Sequence, residues 1–181
     1  MEVIDNYLPE HLFKPIEEFF MFSGIGYSHD NCATNIRTCQ WSFRNHTNHF
    51  DDGYYQFYHP IFDNNYILSD SFSLFEPIFK HENIMSLYRI QSNLNPSSEK
   101  LKFYGNGFHT DNNRCNDENP PCMTTSILYI NTNDGYTQFE ESGERVASVR
   151  NRMLKFPCHL KHTGTNCTDE QMRIVINFNW F

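Results

Sequence analysis

The chain has 181 residues, enough for one domain that buries roughly two-thirds of its unfolded surface, so no second core is needed. Its 39% apolar and 16% aromatic content describes a packed globular protein, and no apolar run approaches the roughly 20 residues that span a bilayer. Fourteen Lys and Arg against 22 Asp and Glu leave a formal charge of −8, a poor field for phosphate backbones, which disfavours nucleic acid as a partner.

The opening Met-Glu-Val-Ile-Asp-Asn has neither a basic n-region nor an apolar h-region, so a cytoplasmic protein is expected. Over residues 8–20, Leu12, Phe13, Ile16, Phe19 and Phe20 recur at helical spacing, with Pro9 near the start, where a missing N–H costs little. This predicts an amphipathic helix that Pro15 could kink or split. From residue 24 to 66, aromatic residues such as Trp41, Phe50, Tyr54 and Tyr58 stand among Asn, His, Asp and Gly, which predicts short strands and long loops. A second helix is predicted over 71–84, capped by Ser69, Asp70 or Ser71 and burying Phe72, Phe75, Ile78 and Phe79.

Beyond that helix the apolar period drops from about 3.6 to 2. Strands are predicted at 86–94, 107–111, 124–130, 136–139, 145–149, 152–156 and 173–180, separated by Gly, Asn-Pro, Asn-Asp-Gly and Ser-Gly turns. Short antiparallel strands after helices make the class α+β, built on a sandwich or barrel, and residues 1–181 read as a single domain without repeats. Residues 112–122, rich in Asn, Asp, Glu and Pro, form the loop whose composition predicts mobility. The six cysteines (Cys32, Cys39, Cys115, Cys122, Cys158, Cys167) are expected to be free thiols in a reducing compartment, with disulfides the second reading. None forms a C-x-x-C pair, so a zinc knuckle is weakly signalled.

Chemistry concentrates in the last third. His109 and Asp111 in Gly-Phe-His-Thr-Asp would point to one face of a strand, with Thr110 turned away. A second histidine would complete a non-haem iron ligand set with open positions. His159 and His162 compete for that place; His162, before Thr-Gly and nearer Arg173, is preferred. In the closing strand Ile174, Ile176, Phe178 and Trp180 lie on one face and Arg173, Val175, Asn177 and Asn179 on the other. The second row faces either water or a wet barrel interior, where the guanidinium of Arg173 would await a carboxylate. A dicarboxylate chelating the metal and held by Arg173 would explain why these residues occur together.

These motifs resemble those of the iron(II)- and 2-oxoglutarate-dependent oxygenases, in the prolyl 4-hydroxylase-like branch and its compact, often virus-encoded members. The likeness runs through Val-Ile-Asp-Asn-Tyr-Leu-Pro-Glu-His-Leu-Phe, Gly-Phe-His-Thr-Asp, Leu-Tyr-Ile-Asn-Thr-Asn-Asp-Gly-Tyr-Thr-Gln-Phe-Glu, Asn151-Arg152-Met-Leu-Lys-Phe156, and His162-Thr-Gly before Arg173. The resemblance implies a double-stranded β-helix, a jelly roll with N-terminal helices packed on one sheet. It implies Fe(II) on His109, Asp111 and His162, with 2-oxoglutarate and O2 as cosubstrates. Arg173 and Tyr129 would hold the distal carboxylate of 2-oxoglutarate. Asn93 would stand where many prolyl hydroxylases carry a tyrosine on the cosubstrate, and Asn177 would also face it. That departure leaves open whether peptidyl-proline, another peptide side chain or a small metabolite is hydroxylated. The region 41–58 with His46, His49 and His59, and the loop 112–122, are candidate rims of the pocket. If a virus encodes the chain, its compartment would be the host-cell cytoplasm. A non-catalytic, cupin-like jelly roll that binds a metal or ligand is the alternative, and a zinc-stapled interaction domain a third reading.

Overall fold

The alternating C-terminal segment is the spine of the fold. In the structure, a computed structural model describing residues 1–21, 39–45, 55–103, 107–111 and 123–181, it forms β11 (Met172–Trp180). This strand pairs antiparallel with β5 (Leu87–Pro96) on one side and β6 (Thr124–Tyr129) on the other. The large sheet is completed by β1 (Glu2–Ile4), β2 (Ser42–Arg44), β3 (Gln56–Asp63), β4 (Tyr66–Ile67) and β9 (Arg152–Pro157). Its order is β1-β9-β6-β11-β5-β3-β2, with β4 on β3. A second sheet is formed by β8 (Arg145–Ala147), β7 (Tyr136–Phe139) and β10 (His162–Gly164), in the order β10-β7-β8.

Both faces of the large sheet are covered, which is why its central strands are apolar on one side and mixed on the other. On one face lie α1 (Glu10–Met21), a 3-10 segment (Asp70–Phe75) and α2 (Glu76–His81). Phe13, Ile16, Phe20, Phe75 and Ile78 from these helices pack against sheet residues including Ile90, Leu128, Met153, Ile174, Ile176 and Phe178. On the other face Ile127, Tyr129, Leu154, Phe156 and Val175 meet Phe139 and Val146 of the small sheet. Each fully buried Phe, Leu or Ile side chain contributes about 1.5–3 kcal/mol relative to an exposed one. The arrangement is the expected jelly roll with helices against one sheet.

Several local expectations change. α1 runs through Pro15 because Phe13, Ile16 and Phe20 on its inner face are buried, and that packing outweighs the lost backbone hydrogen bond. The predicted second helix is a 3-10 segment followed by the short α2, whose first turn carries Pro77. Ser69 caps it, its Oγ accepting from the Ser71 N–H at 3.2 Å. Residues 107–111 are not a strand: His109 makes an isolated bridge to His162, and Asp111 lies in a bend. β1 and β10 were not among the predicted strands. Cys158 is disulfide-bonded, whereas Cys39 and Cys167 remain thiols, so the expectation of reduced cysteines fails at Cys158. Among the described residues no helix is long and apolar enough to cross a membrane.

Candidate functional site

The backbone sets the two histidines side by side before their side chains matter. The His109 N–H donates to the His162 carbonyl and the His162 N–H to that of His109, both at 2.9 Å, a closed antiparallel pair joining the small sheet to the His-x-Asp segment. The imidazole centroids are 4.8 Å apart. Oδ1 of Asp111 lies 3.8 Å from Nε2 of His109 and 3.8 Å from Nε2 of His162. One donor atom from each of the three residues lies within 4.8 Å of the others, close enough to share an ion. His159 is half-buried and outside this cluster, so His162 is the histidine the fold brings to His109 and Asp111.

Neighbouring groups decide which atoms are left for a metal. The Leu160 carbonyl accepts from Nδ1 of His162 at 3.1 Å, which puts the proton there and leaves the Nε2 lone pair free. Oδ2 of Asp111 accepts from Oγ1 of Thr125 at 3.1 Å and from Nδ2 of Asn179 at 3.0 Å, so Oδ1 is turned to the histidines. Asp111 and His162 side chains are each 4% exposed and His109 37%, which makes the His109 side the open one. Burial pushes the Asp111 carboxyl up, but His162, Arg89, His109 and the Asn179 hydrogen bond outweigh it and hold it below the usual carboxylate range. Burial, and then the neighbouring His162, push the His109 imidazole down. Both shifts favour the deprotonated forms that ligate metals.

Arg173 lies at the far end. Its Nε donates to Ser148 Oγ at 2.6 Å and its Nη2 to Thr137 Oγ1 at 3.3 Å, and the residue is 2% exposed. Among the described residues no carboxylate pairs with it. Gly135 leaves room for its stem: a Cβ there would stand 2.6 Å from Arg173 Cδ and 2.4 Å from the Asn166 carbonyl oxygen. Tyr129 is fully buried, donates to Thr137 Oγ1 at 2.8 Å and has the Arg173 guanidinium 5.5 Å from its ring centroid. It therefore stands in the inter-sheet core behind Arg173, where burial above all raises its phenol.

One cavity of about 480 Å3 joins these parts, lined by His109, Asp111, His162, Arg173, Asn93 and Asn177 among others. Asn93 accepts from Gln91 Nε2 at 2.7 Å, while Oδ1 of Asn177 and of Asn95 are buried without a partner. Of the mixed row of β11, Arg173, Val175 and Asn177 thus line the cavity, and Asn179 is buried against Asp111 and Thr125. Thr110 also lines the cavity, against expectation, because its segment bends where a strand would alternate. His59 is not at the rim. It is buried, its Nδ1 donating to the Gln40 carbonyl and its Nε2 meeting Ser69 Oγ, each at 2.8 Å, beside Phe19 and Phe20. His46, His49 and the loop 112–122 lie outside the described residues. Thr125, Ser148 and Arg89 were not singled out in the sequence; Thr125 and Arg89 are placed by strand register, which pairs both with Asn179, and Ser148 follows directly after β8.

No protein-family model and no curated protein matches the chain. Among solved structures, a prolyl-4-hydroxylase from Pseudomonas putida is similar with a TM-score of 0.58 at 13% identity, over 99% of this chain and 91% of that one. A prolyl hydroxylase from Trichoplax adhaerens, in complex with a hypoxia inducible factor oxygen degradation domain peptide fragment, gives 0.53 at 13% identity over 99% and 82%. An oxidoreductase of the 2OG-Fe(II) oxygenase family from Burkholderia pseudomallei gives 0.52 at 12% over 78% and 72%. At such identity the likeness establishes the fold, the double-stranded β-helix that those oxygenases share.

Proposed function

We propose that the chain is an Fe(II)- and 2-oxoglutarate-dependent dioxygenase that hydroxylates a second substrate and releases succinate and CO2. The observation that carries this reading is a His-Asp-His cluster and a buried guanidinium without a carboxylate partner among the described residues, both opening into one cavity. The donor set fits the metal: two imidazoles and one carboxylate suit non-haem Fe(II) and leave coordination positions open. His109, Asp111 and His162 would hold it. Iron with a 2-oxo acid and dioxygen supplies the oxidising power for C–H hydroxylation, chemistry that no protein side chain provides.

The chain's own residues bind, orient and exclude water. Asp111 would contribute the one anionic ligand, its carboxylate held by Thr125 and Asn179, and the Leu160 carbonyl holds the His162 tautomer. Arg173 would take the distal carboxylate of 2-oxoglutarate, its fork steadied by Ser148 and Thr137 so that little rotamer freedom is lost on binding. Tyr129 would reach the same carboxylate by releasing Thr137, and Asn93 and Asn177 offer amides along the wall. The peptide seen with the Trichoplax adhaerens relative supports a peptide side chain, peptidyl-proline included, as one substrate class.

Anaerobic visible absorption of the Fe(II)-loaded protein tests the reading. Adding 2-oxoglutarate should produce a weak charge-transfer band that His109→Ala lacks. Arg173→Gln should keep iron binding and need roughly 10- to 100-fold more 2-oxoglutarate, the size of a lost charge-assisted hydrogen bond. An iron-loaded parent without the band, or a folded Arg173→Gln that loses iron and 2-oxoglutarate equally, would leave the non-catalytic binding module.

A further inference from the structure

We infer that Arg89 couples the two ligands of the metal end: its guanidinium opposes a divalent ion bound alone and holds the anion that chelates that ion, the carboxylate next to the keto group of the 2-oxo acid. This rests on the oxygenase reading above. Three side-chain nitrogens of the described residues stand 3.8 Å from Oδ1 of Asp111: Nε2 of His109, Nε2 of His162 and Nη2 of Arg89. The two imidazoles can ligate a metal. A guanidinium has no lone pair to offer and keeps its charge at physiological pH, so it can only repel a cation held by the other three groups. Over a few ångströms in a partly buried site that repulsion is large.

Backbone register fixes this placement. Arg89 on β5 lies directly opposite Asn179 on β11. Its Nε donates to Asn179 Oδ1 at 3.2 Å, and Nδ2 of the same Asn179 donates to Asp111 Oδ2 at 3.0 Å, so one carboxamide sets both the guanidinium and the carboxylate. The Nη nitrogens of Arg89 make no hydrogen bond among the described residues, and at 3.8 Å its pair with Asp111 is not closed. The Arg89 side chain is 31% exposed and lines the cavity together with the triad. Arg173 stands at the other end: register pairs it with Asn95, six residues from Asn179 along β11, roughly 20 Å of strand.

Repulsion of a bare ion and attraction of its chelating anion are two effects of one charge. Asp111 is the one carboxylate among the described lining residues, so a divalent ion on the triad keeps a net positive charge and Arg89 adds a second. A carboxylate on the ion relieves both, and the free Nη edge offers it the planar fork that carboxylates fit. Linkage then requires metal and 2-oxo acid to strengthen each other by one common factor, which falls when the guanidinium is removed. A residue that merely propped Asp111 would act with the opposite sign, because its loss would weaken the ion.

Calorimetric titration with Mn(II) reads the ion alone, and Arg89→Met should bind it at least about fivefold more tightly than the parent. The anaerobic charge-transfer band of the Fe(II)-loaded proteins reads the acid, with 2-oxoglutarate and 2-oxopentanoate as probes; the second lacks the distal carboxylate and so takes Arg173 out of the comparison. Arg89→Met should need at least about tenfold more of either acid for the same band. Arg89→Lys keeps the charge without the fork, so its Mn(II) affinity should stay within about threefold of the parent while its demand for both acids rises. Weaker or unchanged Mn(II) binding in Arg89→Met, an unchanged acid requirement, or a loss confined to 2-oxoglutarate would overturn the inference. A parent that binds Fe(II) and shows no band with either acid defeats the oxygenase reading itself, and this inference with it.

Discussion

Oδ2 of Asp111 takes two donors and leaves Oδ1 to the histidines, and this asymmetry suits a buried carboxylate to ligation rather than to a closed ion pair. Asn179 donates to both Asp111 Oδ2 and Thr125 Oγ1, each at 3.0 Å, and its Oδ1 accepts from Arg89 Nε at 3.2 Å, so its loss releases three groups at once. Asn179→Ala should therefore fold and weaken Fe(II) by about 10- to 100-fold, as partners of metal ligands commonly do. Anaerobic Fe(II) titration of the variant checks it, and unchanged affinity would show that Asp111 holds its rotamer without help. At this scale the clustering of His109, Asp111 and His162, and the place of Arg173 in the same cavity, were legible because residue type and local spacing suggested them. The groups that hold them were not, since Thr125 acts across strands whose register depends on tertiary packing and Ser148 reaches Arg173 from the segment just after β8. Asn179 gave a partial signal, lying in the mixed row of the last strand; what it binds could not be read from that row.

Among elements, the long central strands and the first helix were legible, because their apolar periods are unbroken. That Gln56–Asp63 forms one strand was not legible in the sequence, and Pro60 is the physical reason: the pairing with β5 shifts register between Pro60 and Phe62, a bulge that interrupts alternation. β10 has three residues and no pattern of its own. The N-terminal segment is fastened by charge as well as packing. Arg150 donates to Glu17 at 2.6 Å and to Glu10 at 2.7 Å, and Arg152 pairs with Asp5. Hydrogen bonds from Arg150 and Arg152 hold the Glu10 and Asp5 carboxyls below their ordinary values of 4.5 and 3.8. A depressed folded-state value means that this stabilisation is complete above the unfolded value and is lost as pH falls through the folded one. Between pH 6 and 2, denaturant midpoints should therefore fall less steeply in Arg150→Met/Arg152→Met than in the parent. Parallel acid limbs would assign the acid sensitivity to other carboxylates.

Across the whole molecule, the large sheet divides two apolar layers with different duties. Phe75 lies in the helix-side layer, its ring 5.3 Å from that of Phe178, while Phe156 lies between the sheets, 4.7 Å from the His162 ring and 4.9 Å from Phe139. Both are essentially inaccessible, so Phe75→Ala and Phe156→Ala should each cost about 3–5 kcal/mol in chemical denaturation. Their effects on the site should differ. A cavity beside His162 removes an edge-to-face contact that fixes the imidazole plane, whereas one beneath the helices leaves the His-Asp-His side of the sheet packed as before. At a temperature where both variants are folded, Fe(II) affinity should fall in Phe156→Ala and stay at the parent value in Phe75→Ala. Equal losses would mean that the helical layer supports the metal site through the sheet, and that the jelly roll alone does not hold the triad in place.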